Sequence, residues 1–223
     1  ASWVGYDMDG RTDITWYTSI RFRLSEKAQR LARYAESLKA IDDSHPLLET
    51  LRAAQARTER SVEDFSGNLS DPAKLSEAAN RLTDPGEDKL LSLTPLIERL
   101  ETEATDAEPD RARALKTLAA GMRADGLGMG WVHFRVNAKQ LHNAIRSRME
   151  NGDDLDLGSR GALAALRSLL ADVEPLTANF GSLAVESSTA TRQFLAMAQI
   201  LKHIDADTPI RMLIAECEQP ATV

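Results

Sequence analysis

The sequence predicts a mainly α-helical fold with a few short parallel strands. Apolar residues recur at intervals of three and four over most of the chain, which is the period of an amphipathic helix. Three short runs are instead rich in strand-forming residues, at Ser2–Tyr6, Trp131–Val136 and Met212–Glu216. In the last of these, 212–215 is continuously apolar, which is typical of strands in parallel sheets.

The most regular helical pattern runs from Asp13 to Ile41, where one apolar stripe predicts a helix about 40 Å long that Asp13 caps. Its other face is predicted to be solvated, and it carries Arg23, Lys27, Arg30, Arg33 and Glu36. After a break at Asp42–Pro46, a matching stripe over 47–65 predicts an antiparallel helical hairpin, with His45 in the loop or as a cap.

Weaker patterns predict the remaining helices. They cover 70–82, 87–105, 110–122, 138–149, 159–173 and most of 176–201. Pro95 is expected to kink or split the second of these, and Asn137 is expected to cap the fourth. The hydroxyls clustered from Ser187 to Thr191 favour the cap of a restarting helix over a phosphate site.

Composition excludes several classes of function. The net charge is −7 and the 27 basic residues are scattered among 34 acidic ones, so no basic stripe indicates a nucleic-acid partner. The single cysteine, Cys217, excludes an internal disulfide and fits a reducing cytoplasm. The four histidines lack the spacing of a zinc site, and no apolar run is long enough to cross a membrane.

The first stretch of the chain carries the strongest chemical motif. Asp7 and Asp9 lie two residues apart, so both can face one side of an extended segment, and Gly10 permits a tight turn after them. A calcium loop is excluded because Gly5 and Trp16 occupy the positions where it needs acidic ligands. A sugar-nucleotide transferase is disfavoured because such a motif normally follows a parallel nucleotide-binding domain.

This stretch, Ser2-Trp3-Val4-Gly5-Tyr6-Asp7-Met8-Asp9-Gly10, resembles the Ser-Trp-Met-Gly-Gly-Asp-Arg-Asp-Gly-Asn-Pro motif of the phosphoenolpyruvate carboxylase family. Residues 126–136 are similar to the family's glycine-led barrel strand, which ends in Asp-Ile-Arg, and 211–218 resembles the next strand. The resemblance implies part of a helix-wrapped α/β barrel.

On this resemblance, 1–223 is one internal fragment of a larger carboxylase-like chain. Residues 1–125 then form a strand, the long hairpin and a helical bundle, and 126–223 form two strands with crossover helices. The family's catalytic histidine segment would precede Ala1, and its metal-binding acidic residues would follow Val223.

The activity that the resemblance implies is carbon-carbon bond formation between phosphoenolpyruvate and bicarbonate, giving oxaloacetate and phosphate. Mg²⁺ or Mn²⁺ serves the intact protein, and no cofactor is expected on this fragment, which is expected to be inactive alone. The intact protein is expected to be a cytoplasmic homo-oligomer with small-molecule substrates and no nucleic-acid or membrane partner.

The resemblance also assigns site residues. Trp3 matches the tryptophan that lines the family's bicarbonate pocket. Asp7 and Asp9 are expected to hold arginines in position, as groups behind the reacting atoms do. Arg11 is expected to reach an anion or to act as a cap.

The second strand supplies the other candidates. His133 and Arg135 share one face of it, near the end where barrel active sites form, and are candidates for an anion pocket. The alternative is that Arg135 pairs with Asp7 or Asp9 and is structural. Asn137 is a substrate-binding candidate because it aligns with an arginine implicated in phosphoenolpyruvate binding.

Several positions depart from the family pattern. Tyr6 replaces a glycine, Met8 replaces the arginine between the aspartates, and Arg11-Thr12 replaces Asn-Pro. Asn137 stands where the family has an arginine. The alternative function is therefore an inactive helical scaffold or protein-interaction domain derived from the same fold.

Overall fold

The computed structural model describes residues 5–8, 13–128, 130–149, 152–154, 156–170, 173–174, 177–219 and 222. These residues form a mainly helical fold with a two-stranded parallel sheet, which confirms the prediction of a mainly helical chain with short parallel strands; the helix-wrapped barrel stays a prediction. The elements are α1 (Trp16–Ile41), α2 (Leu47–Asp64), α3 (Pro72–Thr83), α4 (Thr94–Glu103), α5 (Pro109–Asp125), β1 (Val132–Asn137), α6 (Ala138–Arg146), α7 (Arg160–Leu169), α8 (Phe180–Val185), α9 (Thr189–His203) and β2 (Ile210–Ala215).

The predicted hairpin is confirmed, because α2 packs along α1 across a short connection. Its cap differs from the prediction. Thr15, not Asp13, caps α1, since the Thr15 hydroxyl accepts the Thr18 N–H at 3.2 Å. His45 lies in the connection as predicted, where its Nδ1 accepts the Leu47 N–H at 3.1 Å.

Two local predictions are wrong. The helix predicted over 87–105 begins only at Thr94, because Pro95 lies in the first turn of α4, where a missing N–H leaves no helical bond unmade. Of the strand predicted at 2–6, residues 2–4 lie outside the described part of the chain. Gly5 and Tyr6 form a turn, and only Asp7 pairs with the sheet.

The hydroxyl cluster acts as a cap, as predicted. The Ser188 hydroxyl accepts the Thr191 N–H at 3.3 Å at the start of α9. Helix α9 then packs against β1, and its buried Gln193 amide donates a hydrogen bond of 2.6 Å to the Arg135 carbonyl. This bond fixes the sheet to the helical layer.

The sheet is parallel and its register is defined. Val132 lies opposite Ile210 and Asn137 lies opposite Ala215. The strands therefore occupy the predicted regions with small shifts at their ends. Phe134 and Val136 are buried on the helical side, and alternate residues of β1 face the other way.

Helix α1 contributes to two hydrophobic cores. Its first half, with Trp16, Ile20 and Leu24, packs into a core that includes β1, α3, α8 and α9. Its second half packs with α2, α4 and α5 around Leu31 and Leu38. The helix is about 39 Å long, which is enough to span both cores.

Arg23 and Lys27 lie on α1 where one core gives way to the other, and both are buried. The prediction that they lie on a solvated face is therefore wrong. The guanidinium of Arg23 is 1% exposed and donates to the Asp205 carboxylate at 2.5 Å and to the Thr208 hydroxyl at 2.6 Å. It also contacts Glu26 at 3.1 Å.

The sequence did hold a sign of this burial. Arg23 and Lys27 follow Ile20 by three and seven residues, which is the spacing of one helix face. The prediction of a solvated face followed only from the fact that both residues are charged. A long cation on an apolar stripe remains buried when a carboxylate from a distant segment compensates its charge.

Gly128 fits closely against the Arg23 guanidinium. A Cβ atom at this position would lie 1.8 Å from Arg23 Nη1. Only glycine therefore lets the chain pass this point without moving the guanidinium away from Asp205.

Among the residues that the structure describes, no helix combines the length and apolarity needed to cross a bilayer.

Gly128→Ala is expected to lower the free energy of unfolding by about 3 kcal/mol, because it displaces one member of a buried ion pair. Gly121→Ala is the matched control. Gly121 lies within α5 with open space around its Cβ position, so alanine should stabilise the helix by about 0.5–1 kcal/mol. Urea denaturation measures both changes, and an equal effect of the two variants would contradict the assigned packing.

Candidate functional site

Residues 5–8 place one carboxylate on the sheet and two large side chains in the core. Tyr6 and Met8 are buried with the first core, and Tyr6 lies 5.3 Å from Phe134, ring centre to ring centre. Burial raises the pKa of the Tyr6 phenol, which donates to Glu26 Oε2 at 3.0 Å. Asp7, between them in sequence, is directed to the other side.

A tight contact anchors this segment on α1. The Ser19 hydroxyl donates to the Gly5 carbonyl at 2.6 Å. Gly5 has a φ of +82°, and a Cβ atom there would lie 2.5 Å from the Phe22 ring. Glycine meets both the positive φ and the close approach, so this position fixes the path into Asp7.

Asp7 pairs with Arg135 in two ways. Their backbones form a single parallel β-bridge, on the edge of β1 away from β2. Their side chains also form an ion pair, with 3.7 Å between Asp7 Oδ2 and Arg135 Nη1. The Asp7 side chain is 18% exposed and the Arg135 side chain 46%, so the arginine is held at one end and open to solvent at the other.

The face of the sheet opposite the helices carries two arginines and a histidine. Register places His133 beside Arg211 and Arg135 beside Leu213, and residues paired in this way share a face. Arg135 and Arg211 are exposed and His133 is half-buried. We refer to His133, Arg135 and Arg211, together with Asp7, as the sheet face.

Arg211 is a member of the sheet face that sequence reasoning did not identify. Its guanidinium carbon lies 3.3 Å from the centre of the Trp131 ring, a stacking contact that holds the side chain in place. In the sequence it is only the polar residue at the start of an apolar run. The strand register, which the sequence does not contain, is what places it beside His133.

Asn137 lies at the carboxyl end of β1 and caps α6, as predicted. Its Oδ1 accepts the Lys139 N–H at 2.8 Å, and its own N–H donates to Gln140 Oε1 at 3.2 Å. The oxygen of this candidate is therefore used by the helix. A substrate-binding role for Asn137 stays a prediction.

The structure brings Asp7, His133 and Arg135 to one region, with Asn137 farther along the same strand. Trp3, Asp9 and Arg11 lie outside the described residues. Within the described ranges, no group of three or more histidine, cysteine or acidic side chains is placed to hold a metal ion.

Lys27 is a buried basic group one turn beyond Arg23 on α1. Its ammonium donates to the Leu90 carbonyl and, at 2.7 Å, to the Ile204 carbonyl. Burial lowers its pKa to about 7, against the attraction of Asp205. The cations Lys89, Arg23 and Arg57 lower it further. Lys27 thus ties α1 to the segments before α4 and after α9.

The chain matches no known protein-family model, no curated protein and no solved structure. Its geometry therefore carries the functional argument. The fold and the sheet face define a helical protein with a small parallel sheet, one side of which presents cations to solvent.

Stability is expected to rise by about 2 kcal/mol between pH 7 and 9 because of Lys27. The folded-state pKa of about 7 lies below the unfolded value of 10.5, so the unfolded chain binds more protons in this range. Lys27→Met should remove this rise. Lys39→Met, an exposed position near the end of the same helix, should retain it.

Urea denaturation at pH 7, 8 and 9 measures these slopes. Burial lowers the pKa of His203 to about 4. The folded protein therefore does not change its protonation at His203 between pH 7 and 9, and the difference between the Lys27 and Lys39 variants is unaffected. Equal slopes for Lys27→Met and the unmodified chain would contradict the assignment.

Proposed function

We propose that this chain is part of a phosphoenolpyruvate carboxylase-like enzyme that forms oxaloacetate from phosphoenolpyruvate and bicarbonate. The pairing of Asp7 with Arg135 carries the proposal. It joins the aspartate motif of the first residues to the glycine-led strand, two segments 128 positions apart that the resemblance relates to one active site. The next strand in sequence, β2, pairs in parallel with the other edge of β1.

The sheet face has the chemistry that this substrate needs. Phosphoenolpyruvate carries a phosphate and a carboxylate, and guanidinium groups bind both with paired hydrogen bonds. Arg135 and Arg211 provide two such groups on one surface. His133 lies opposite Arg211 and two residues before Arg135, so it adjoins both. The role of Asp7 is to orient Arg135 through the ion pair.

The departures from the family pattern fit this arrangement. Tyr6 and Met8 are buried in the first core, on the side of the segment away from Asp7. A methionine at position 8 therefore packs the core and takes no place on the sheet face. Because Asn137 caps α6, the cations for the substrate come from Arg135 and Arg211.

The remaining chemistry belongs to the intact protein. Mg²⁺ or Mn²⁺ would stabilise the developing enolate. The isolated chain is proposed to be inactive and the intact protein to be a cytoplasmic homo-oligomer.

A non-catalytic helical scaffold is the second candidate. The observation that favours it is that two candidate groups already have partners within the fold. Asp7 and Arg135 neutralise each other, and the Asn137 oxygen caps a helix. Such groups also occur in proteins where the pairing only stabilises the sheet.

The intact protein is expected to form oxaloacetate when supplied with phosphoenolpyruvate, bicarbonate and Mg²⁺. Added malate dehydrogenase reports the product through NADH oxidation. Turnover that depends on bicarbonate supports the carboxylase. Its absence in a folded, metal-loaded protein would favour the scaffold.

In an active protein, Arg135→Gln is expected to raise the KM for phosphoenolpyruvate about tenfold or more, because a charged hydrogen bond to the substrate is lost. Arg33→Gln removes an exposed cation from α1 and should leave KM unchanged. Steady-state kinetics at saturating bicarbonate make the comparison. An unchanged KM in Arg135→Gln would assign the residue to structure alone.

A further inference from the structure

A cleft of about 380 Å³ opens at the amino ends of the two strands, away from the carboxyl end that Asn137 marks. The start of α4, the end of α5 and the residues just before β1 and β2 form its walls. Its apolar lining includes Ile97, Met122 and Pro209. The volume is in the range of pockets that enclose small molecules.

The charged side chains of the cleft leave an excess of negative charge. Asp205 is neutralised by Arg23, Asp125 is paired with Arg30 at 2.8 Å, and Arg123 is paired with Glu101 at 2.9 Å. The remaining charged groups are the exposed carboxylates of Glu98 and Asp207.

Glu98 and Asp207 have no cationic partner within 4 Å in the part of the chain that the structure describes. Asp207 Oδ2 accepts only a long hydrogen bond, of 3.3 Å, from the Leu93 N–H. The carboxyl end of α5 also lines the cleft, and the carbonyl groups of a helix end favour positive charge.

The cleft also presents an aromatic surface. Trp131 is 40% exposed and lines it, while Arg211, which stacks on the Trp131 ring, does not. Arg211 shows that this indole accepts a guanidinium group at 3.3 Å from its ring centre. Carboxylates and an indole together recognise organic cations. A guanidinium group matches both, because its paired N–H donors bind a carboxylate and its plane stacks on an aromatic ring.

We propose that this cleft binds a guanidinium group, either of a small molecule or of an arginine side chain in a peptide. Glu98 and Asp207 supply the charge, and Trp131 supplies a flat wall against which the group lies. The site uses none of Asp7, His133 and Arg135, and its one link to the sheet face is the stacking of Arg211 on Trp131. Its test measures ligand binding and not turnover, so the two proposals can fail separately.

The test titrates the 223-residue chain with ethylguanidinium and follows the indole N–H signal of Trp131 by NMR, assigned with Trp131→Phe. A saturating shift is expected. Affinity should fall about tenfold or more in the Glu98→Gln/Asp207→Asn double variant, since both charged contacts weaken. Asparagine retains an oxygen for the Leu93 N–H, so the loop is preserved.

Two controls make the result specific. Glu36→Gln removes an exposed carboxylate on α1, outside the cleft, and should leave the affinity unchanged. Ethylurea, which is neutral and of similar shape, should give no saturating shift. An N-acetylated, amidated Gly-Arg-Gly peptide separates the two sources, because tighter binding than ethylguanidinium indicates a peptide ligand and equal binding a small molecule. No shift, an equal response to ethylurea, or undiminished affinity in the double variant would overturn the proposal.

Discussion

The buried ion pair between Arg23 and Asp205 is the contact on which the rest of the structure depends. It joins the middle of the longest helix to the loop that leads into β2, across 182 positions of sequence. Burying two charges is costly and is repaid only by close geometry and further hydrogen bonds, which Thr208 and Glu26 provide. The pair therefore fixes where β2 begins, and through the strand register it fixes the sheet face.

Sequence reasoning predicted the elements governed by local chemistry. The hairpin, the Asn137 and Ser188 caps and the two paired strands follow from periodicity and from side chains that bond to nearby backbone groups. Sequence reasoning failed where one local pattern is compatible with two structures. Pro95 suits either a kink or a first turn, and only the packing of α4 decides between them.

The candidate site was less predictable because its geometry is non-local. The pairing of Asp7 with Arg135 was one of two alternatives for these residues, and the 3.7 Å between their side chains shows that they are in contact. Arg211 had no signal in the sequence, since its position depends on strand register. Arg23 had one, in its spacing from Ile20, but the compensating carboxylate lies too far along the chain to be anticipated.

The sharing of α1 between the two cores has an evolutionary consequence. A protein built from separable modules can exchange or duplicate one of them, because each keeps its own core. Here the first core takes residues from both ends of the chain, and its central helix is also the wall of the second. Recombination that inherits one core must inherit α1, and with it half of the other. The two cores are therefore inherited together.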